Sequence, residues 1–356
     1  INALRMSHYP NRNVTYELCD KYGILVMDET AIETHGTWMN LDGDKEDRCL
    51  PGNNIMYRDF TINRGKAMYE RDKNYPCIIS FSLGNESYAG KNLEALYNYF
   101  KDVEKERFIH YEGCFNNQKY LHISDVYSRM YAKPKEIKKY LKKNKNKPYI
   151  LCEFAHSMGN STGNFNEYME LTDEFKNYQG GYIWDFVDQG IFKDDKMHYG
   201  GDFKDYPNDG NFSADGLLFA DRKVSPKVNV VKYYYSNIHF DINKNKVSII
   251  NKNNFIDTSY LYFKYFILED GKEVYSDSFE LNVLPLSKKD YKFKYNYKFL
   301  DNKEYVIRVC AYLKEDTLYA LKDHEVNFDE KLIKDCKYEI KESEGNLKIF
   351  RSHSHI

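Results

Sequence analysis

The sequence lacks long hydrophobic runs and a net charge of either sign. No stretch of about 18 consecutive apolar residues occurs, so no membrane-spanning helix is predicted. Lys and Arg number 52 against 54 Asp and Glu, which gives a formal charge of −2. A chain so balanced has no overall field that attracts nucleic acid or anionic lipid. We therefore expect neither as a partner and favour a neutral or weakly charged ligand.

Cysteine motifs and nucleotide-binding loops are missing as well. The seven cysteines are odd in number and far apart, without CxxC spacing, which predicts reduced thiols in a cytoplasmic protein. There is no HExxH motif, no GxGxxG after a strand and no P-loop, which disfavours a zinc protease, a dehydrogenase and a nucleotide-binding enzyme. The first ten residues, INALRMSHYP, have no basic or apolar signal region and are typical of a buried strand.

What the sequence does contain, up to about residue 190, is an alternation of short apolar runs with polar stretches of helical pattern. This alternation predicts parallel βα units. The seven predicted strands lie within residues 1–6, 24–29, 78–84, 107–112, 122–128, 149–154 and 181–186. A closed (β/α)8 TIM barrel has eight strands. We therefore predict an α/β fold in which residues 1–226 form a catalytic TIM barrel that lacks its first strand.

The pattern changes after this region. Residues 191–226 are rich in Gly and Asp, which indicates a long ligand-contacting loop or a plain linker. Over residues 227–330, alternating segments such as SYLYFKYFILEDG and EYVIRVCAYLKED predict an all-β immunoglobulin-like sandwich. Residues 331–356 contain one strand-like stretch. We predict a linker there and the start of a C-terminal domain that is missing from this chain.

Two glutamates lie at the ends of predicted apolar strands, Glu86 in SFSLGNES and Glu153 in YILCEFAH. Burial disfavours a charged carboxylate, so such positions usually have a partner or a task. Glycoside hydrolysis uses two carboxyls: one donates a proton to the leaving oxygen and the other attacks the anomeric carbon, at about 5 to 5.5 Å separation in retaining enzymes. From the residues alone, a structural role fits two such glutamates equally well.

Other polar and aromatic side chains follow the same strand ends. Glu33 and His35 in DETAIETHG are two residues apart and, on an extended segment, face the same side, so they can share an ion. A hydrogen-bonded surface pair is the simpler interpretation of that motif. Rings stack on sugar faces and imidazoles bind hydroxyls, and the candidates for these roles are His8, Tyr127, His156 and Trp184. For Trp184, ordinary core packing fits as well.

Seven segments, in order, resemble the large beta-galactosidases of glycoside hydrolase family 2. They are ALRMSHYPN, LCDKYGILVMDETAIETHG, RDKNYPCIISFSLGNES, CEFAHSMGNS, YQGGYIWDFVDQGI, GGDFKDYPND and DGLLFADR, and they span residues 1 to about 226. The predicted sandwich follows where that family carries one. The resemblance implies a retaining hydrolase of terminal β-D-galactosides such as lactose. The combination of ETHG, SHYPN and DFVDQ favours galactosides over glucuronides and mannosides.

The resemblance also implies roles for the carboxylates. In GNES, Glu86 matches the general acid/base and Asn85 matches a sugar contact, and in CEFAH, Glu153 matches the nucleophile. Glu33 and His35 of ETHG match ligands of Mg²⁺, and Glu86 completes that set. A bound Mg²⁺ would tune the acidity of the proton donor. Mg²⁺ is therefore the expected cofactor.

Further matches imply the rest of the substrate pocket. They are Arg5 near the carboxylates, His8 and His156 on galactose, Tyr127 against the nucleophile and the stacking Trp184. A sodium site in the family matches Phe212 and Asp215. The family has Asn at the second of these positions, and the carboxylate here adds a negative charge that still favours a cation. We therefore expect Na⁺ as a second ion.

The chain departs from the family at both ends. Family members carry two further β domains and the first barrel strand before the segment found here, and a large C-terminal domain after it. The resemblance implies a homo-oligomer for the full-length protein. An alternative function follows from the missing parts: a catalytically incomplete fragment that acts as a carbohydrate-binding or complementing subunit.

Overall fold

The computed structural model describes residues 1–159 and 162–336. It divides into two compact units, Ile1–Tyr235 and a second unit that begins at Ser236. The predicted boundary at residue 226 differs from this one, because the helix Lys227–Tyr235 packs on the first unit, where Val231 is buried in an apolar core. Residues 337–356, most of the predicted linker and further domain, lie outside the described residues.

Seven parallel strands form the frame of the first unit. They are β1 (Ala3–Arg5), β2 (Leu25–Glu29), β3 (Ile78–Ser82), β4 (Phe108–His110), β5 (Tyr127–Met130), β6 (Tyr149–Phe154) and β7 (Tyr178–Ile183). They pair in the orders β1-β2-β3-β4 and β5-β6-β7. All seven predicted strands are present. The fifth begins five residues later than predicted, because a 3-10 helix occupies Gln118–Ile123.

Helices alternate with these strands, as the βα pattern predicts. They are α1 (Asn13–Tyr22), α2 (Lys45–Arg48), α3 (Arg58–Asp72), α4 (Lys91–Val103), α5 (Pro134–Lys143), α6 (Phe165–Glu174) and α7 (Lys227–Tyr235). Helix α1 ends at Gly23, whose left-handed φ of 70° lets its N–H bond the Cys19 carbonyl. A short antiparallel hairpin, β8 (Ile191–Lys193) with β9 (Lys196–His198), begins the long loop after β7.

Apolar helix faces cover each sheet of the first unit. The Phe81 ring on β3 stacks on the Phe100 ring of α4, with centroids 5.7 Å apart, and both side chains are fully buried. On the other sheet, the Phe154 ring of β6 stacks on that of Phe165 of α6 at 5.5 Å. Burial of each such ring stabilises the fold by roughly 1.5–3 kcal/mol. The strand ends that carry the site are thereby anchored on a packed layer.

His110 links the two sheets where β4 and β5 are neighbours. Its Nδ1 lies 3.0 Å from the Ser82 hydroxyl and its Nε2 lies 2.8 Å from the Ser128 hydroxyl. Complete burial lowers the pKa of His110 to about 3, so the ring is neutral and acts only through hydrogen bonds. Side-chain hydrogen bonds of His110 thus connect the two sheets.

The second unit consists of antiparallel strands. They are β10 (Ile238–Ile242), β11 (Lys246–Asn251), β12 (Leu261–Glu269), β13 (Lys272–Phe279), β14 (Ser287–Lys292), β15 (Tyr305–Leu313) and β16 (Glu325–Lys334). The sheets β10-β11-β14 and β13-β12-β15-β16 share one apolar core. Strand β12 alternates buried and partly exposed residues, the pattern of a sheet with one covered face. Strand β16 extends four residues past the predicted limit at 330, because it pairs with β15 up to Lys334.

The helices of the first unit are short, the longest being Arg58–Asp72. None in the described ranges, 1–159 and 162–336, has the length and hydropathy needed to cross a bilayer.

Candidate active site

The carboxyl ends of the parallel strands bring the predicted polar residues together. Arg5 ends β1, Glu29 ends β2 and Glu153 lies near the end of β6, while Asn85 and Glu86 follow β3. Strands that run parallel present their carboxyl ends at one edge, which is where active sites of βα folds are built. The residues from distant parts of the sequence therefore converge on one edge of the first unit.

Arg5 is the centre of this convergence. Its guanidinium is buried and contacts three side chains: Nε lies 2.8 Å from Glu29 Oε2, Nη1 lies 2.9 Å from Glu153 Oε1, and Nη2 donates to Asn85 Oδ1 at 2.7 Å. Burial alone would raise the pKa of Glu29, but the charges of Arg5 and His8 outweigh it and hold that pKa below its usual value. Glu29 is therefore an ionised, fully buried partner of the arginine.

His8 is positioned by the same carboxylate. Its Nδ1 lies 2.9 Å from Glu29 Oε1, and its Nε2 lies 3.8 Å from Glu153 Oε1. The imidazole stacks on the Trp184 ring, with centroids 5.1 Å apart and planes 12° from parallel. Since the two rings come from opposite ends of the strand order, their stacking joins the sheet of β1 to that of β7.

Tyr131, not Tyr127, lies against Glu153. The Tyr131 hydroxyl donates to Glu153 Oε2 at 2.7 Å. Tyr127 instead stacks on Tyr140, with centroids 4.0 Å apart, and packs beside Tyr149. The prediction chose Tyr127 because it set β5 too early: Tyr127 begins the strand, whereas Tyr131 follows its last residue. The strand-end rule itself points to Tyr131 once the strand bounds are known.

Glu86 is on a loop and half-buried. Partial burial raises the pKa of its carboxyl; the His35 charge opposes this shift, and the charges of Glu153 and Glu33 add to it. His35 Nδ1 lies 2.9 Å from Glu86 Oε2. Trp38 Nε1 donates to the Glu86 carbonyl at 2.7 Å. A carboxyl with a raised pKa suits proton donation.

The predicted magnesium ligands do not form one set. His35 and Glu86 are in contact, but Glu33 Oε1 accepts a hydrogen bond from Asn85 Nδ2 at 2.9 Å. Across residues 1–159 and 162–336, no three His, Cys, Asp or Glu side chains are grouped so that they could hold a metal ion. In this arrangement Asn85 engages one oxygen of Glu33, and no chemical step is assigned to a metal.

Asp215 lies beside Trp184 and His156. Its Oδ2 accepts from Trp184 Nε1 at 3.0 Å and lies 3.7 Å from His156 Nε2. The Phe212 ring lies 5.5 Å from the His156 ring, measured between centroids. Asp215 Oδ1 is buried and has no hydrogen-bond partner among the described residues, which leaves one oxygen for a cation. The predicted pair Phe212 and Asp215 thus lies beside the predicted sugar contacts.

Comparisons with known proteins identify the family of the chain. Residues 1–240 match the family described as glycosyl hydrolases family 2, TIM barrel domain, and residues 247–333 match beta-galactosidase, domain 4. A beta-galactosidase of Halalkalibacterium halodurans is 43% identical over 334 residues, which cover 92% of this chain and 33% of that protein. A beta-galactosidase of Clostridium acetobutylicum is 40% identical over 363 residues, which cover 100% of this chain and 40% of that protein.

The chain spans only part of these relatives. It covers 39% of a beta-galactosidase large subunit of Latilactobacillus sakei, which is 46% identical over 242 residues or 66% of this chain. Among solved structures, the FMN-binding beta-glucuronidase from Facaelibacterium prausnitzii L2-6 has a TM-score of 0.50 at 14% identity, covering 94% of this chain and 50% of that one. At that identity the likeness concerns the fold alone.

Proposed function

Because this chain belongs to glycosyl hydrolases family 2, we propose that it carries the catalytic residues of a retaining beta-galactosidase. The substrates are terminal non-reducing β-D-galactosides such as lactose. One observation carries the proposal: two carboxyls meet at one strand edge in different electrostatic surroundings. Glu153 is bonded to Arg5 and Tyr131, whereas burial and the charge of Glu153 raise the pKa of Glu86.

The reaction proceeds by double displacement. Glu86 donates its proton to the glycosidic oxygen while the Glu153 carboxylate attacks the anomeric carbon, so the aglycone leaves and a galactosyl ester forms on Glu153. Glu86, now ionised, takes a proton from water, which attacks the anomeric carbon and breaks the ester. Two inversions at that carbon give net retention.

The remaining residues bind and orient the sugar. The stacked rings of His8 and Trp184 form an aromatic platform, and a ring at such an edge packs on the apolar face of a sugar. Asn85, which accepts from Arg5, and His156, which lies 3.7 Å from Asp215, can bind hydroxyls. Arg5 orients the nucleophile by its bond to Glu153.

Ions and assembly belong to the same proposal. Mg²⁺ would be held by Glu33, His35 and Glu86, of which His35 and Glu86 are in contact and Glu33 bonds Asn85 through Oε1. Calorimetric titration with Mg²⁺, compared with the Glu33→Gln variant, tests this set. Na⁺ has the free Asp215 oxygen available. We further propose a TIM barrel that lacks its first strand, an immunoglobulin-like form for the second unit, a cytoplasmic location and a homo-oligomer.

A second candidate function has its own observation. The chain covers 33% and 40% of two of its relatives, and another relative is named a large subunit. A catalytically incomplete fragment that binds carbohydrate or complements another chain would retain the same residues. The two candidates differ in whether this chain turns over substrate by itself.

Hydrolysis of nitrophenyl galactoside, glucoside and glucuronide tests both candidates. The assay is run on the 356-residue chain and on the protein as its gene encodes it. Turnover of the galactoside alone among the three substrates supports the proposed function. Turnover by the gene-encoded protein but not by the 356-residue chain supports the complementing role of the chain. Turnover of the glucuronide in preference to the galactoside would contradict the substrate assignment.

A further inference from the structure

The backbone of Glu86 is held by side chains instead of by a strand ladder. Its N–H donates to Glu112 Oε1 at 2.6 Å, and its carbonyl accepts from Trp38 Nε1 at 2.7 Å. Its φ is 42°, in the left-handed region that disfavours residues with a side chain. Such a conformation persists only where the surroundings fix it. The two side-chain bonds to Glu86 are therefore candidates for that constraint.

Three consecutive residues after β4 surround this turn. The Tyr111 hydroxyl donates to the Ser87 carbonyl, and Glu112 accepts from the Glu86 N–H. A Cβ at Gly113 would lie 2.7 Å from the Ser87 carbonyl oxygen and 2.6 Å from the Tyr111 ring, so only glycine fits there. The segment 111–113 is thus built around the backbone of residues 86 and 87.

The buried position of Glu112 is energetically unfavourable for a carboxyl group. Its side chain is buried, and no Lys or Arg in the described ranges forms an ion pair with it. Burial raises the pKa of Glu112 to about 8. A buried carboxyl without a cation requires a hydrogen-bond partner. Glu112 accepts a hydrogen bond from the Glu86 N–H.

We propose that Glu112 is a positioning residue for the general acid, since its carboxyl oxygen fixes the left-handed backbone of Glu86 and keeps the Glu86 carboxyl beside His35. The inference rests on the proposed function only for the role of Glu86 as the general acid. The geometric part, a side-chain acceptor that sets the backbone of residue 86, stands independently of the reaction.

Glu112→Leu and Glu112→Gln in the gene-encoded protein test the proposal, because Gln retains an acceptor oxygen and Leu does not. We expect Leu to lower kcat/KM, which reports the first displacement, on the order of 10²-fold for aryl galactosides with poor leaving groups, which need the acid. Dinitrophenyl galactoside should change little, and Gln should restore most of the loss. Equal loss on both substrates, or a Gln variant as impaired as Leu, would overturn the proposal.

Glu104 provides a matched control. It is also buried, and its Oε1 accepts from the main-chain N–H groups of Glu106 and Arg107 at 2.9 and 3.2 Å, away from the candidate site. Glu104→Leu removes a comparable buried acceptor. It should leave the ratio of the two substrate rates unchanged, whereas Glu112→Leu changes it.

Crystal structures of the Glu112 variants provide a readout independent of turnover. We expect a positive φ at residue 86 and the 2.9 Å contact with His35 in the Gln variant, and loss of both in the Leu variant. If Leu prevents folding, Glu112→Asp, whose acceptor is one methylene further away, serves in its place. Retention of the positive φ and the contact without the acceptor contradicts the inference, whereas a folded wild type that hydrolyses no galactoside contradicts only the proposed function.

Discussion

Glu153 and Glu86 lie at the same edge of the fold but in different surroundings. The Glu153 side chain is 8% exposed, is on strand β6 and is bonded to a buried arginine and a tyrosine hydroxyl. The Glu86 side chain is 31% exposed, is on a loop and faces His35. Fixed donors stabilise the charge of one carboxyl, while partial burial beside like charges favours the neutral form of the other. The difference supports the proposed roles of Glu153 as nucleophile and Glu86 as acid.

The largest effect should follow loss of the nucleophile. Glu153→Gln removes the attacking oxygen and keeps the shape of the side chain. We expect kcat to fall by more than about 10⁴-fold for every aryl galactoside, beyond the range of a general acid. Steady-state kinetics with good and poor leaving groups measures it. A fall that depends on the leaving group would exchange the roles of the two glutamates.

Loss of the acid should be selective. Glu86→Gln should lower kcat by about 10² to 10⁴-fold for galactosides with poor leaving groups, because their departure needs a proton. In kcat/KM, which reports the first displacement alone, dinitrophenyl galactoside should retain most of its value because its leaving group needs no proton, whereas its kcat should also fall because Glu86 takes the proton of the attacking water. The contrast between the two substrates is the measurement, and its disappearance would count against the division between the two sites.

Removal of Arg5 should destabilise the Glu153 side of the site. Arg5→Met leaves the buried Glu29 and Glu153 without their guanidinium partner, and loss of one partner of a buried pair costs about 3–5 kcal/mol. Urea unfolding followed by circular dichroism gives the free energy of unfolding. The double variant Arg5→Met with Glu29→Gln removes one stranded charge and should recover part of the loss; no recovery would mean that packing, not charge, dominates.

The smallest effect concerns the tyrosine at Glu153. Tyr131→Phe removes one hydrogen bond to a carboxylate, worth about 1.5 kcal/mol or more, and should lower kcat/KM by about tenfold. Tyr127→Phe is the control, because the Tyr127 ring stacks on Tyr140 and not on the nucleophile. Equal effects of the two substitutions would restore the original assignment of Tyr127.

The sequence predicts the frame of the first unit and the residues on its strand ends. Glu86 and Glu153 follow from apolar runs that end in polar residues, since parallel strands collect those residues at one edge, whereas Arg5 followed from the family resemblance. Tyr131 was missed because the apolar stretch before β5 forms a 3-10 helix, which moves the strand five residues along the chain. A local pattern does not distinguish the two when both bury apolar side chains.

Contacts between distant segments are the part that the sequence does not predict. Glu112 accepts from the backbone N–H of Glu86, 26 residues away, and the sequence around Glu112 does not indicate that partner. Glu33 was expected beside His35 on a shared ion, yet it bonds Asn85. The alternation of side chains along an extended segment fixes which side a residue faces, but not which of several nearby donors it bonds.

Covalent trapping tests the central claim most directly. The gene-encoded protein is incubated with a 2-deoxy-2-fluoro galactoside that has an activated leaving group, and the labelled peptide is identified by mass spectrometry. We predict that the label lies on Glu153 and that labelling is abolished in Glu153→Gln. A label on Glu86, or undiminished labelling of the Glu153→Gln variant, would contradict the account.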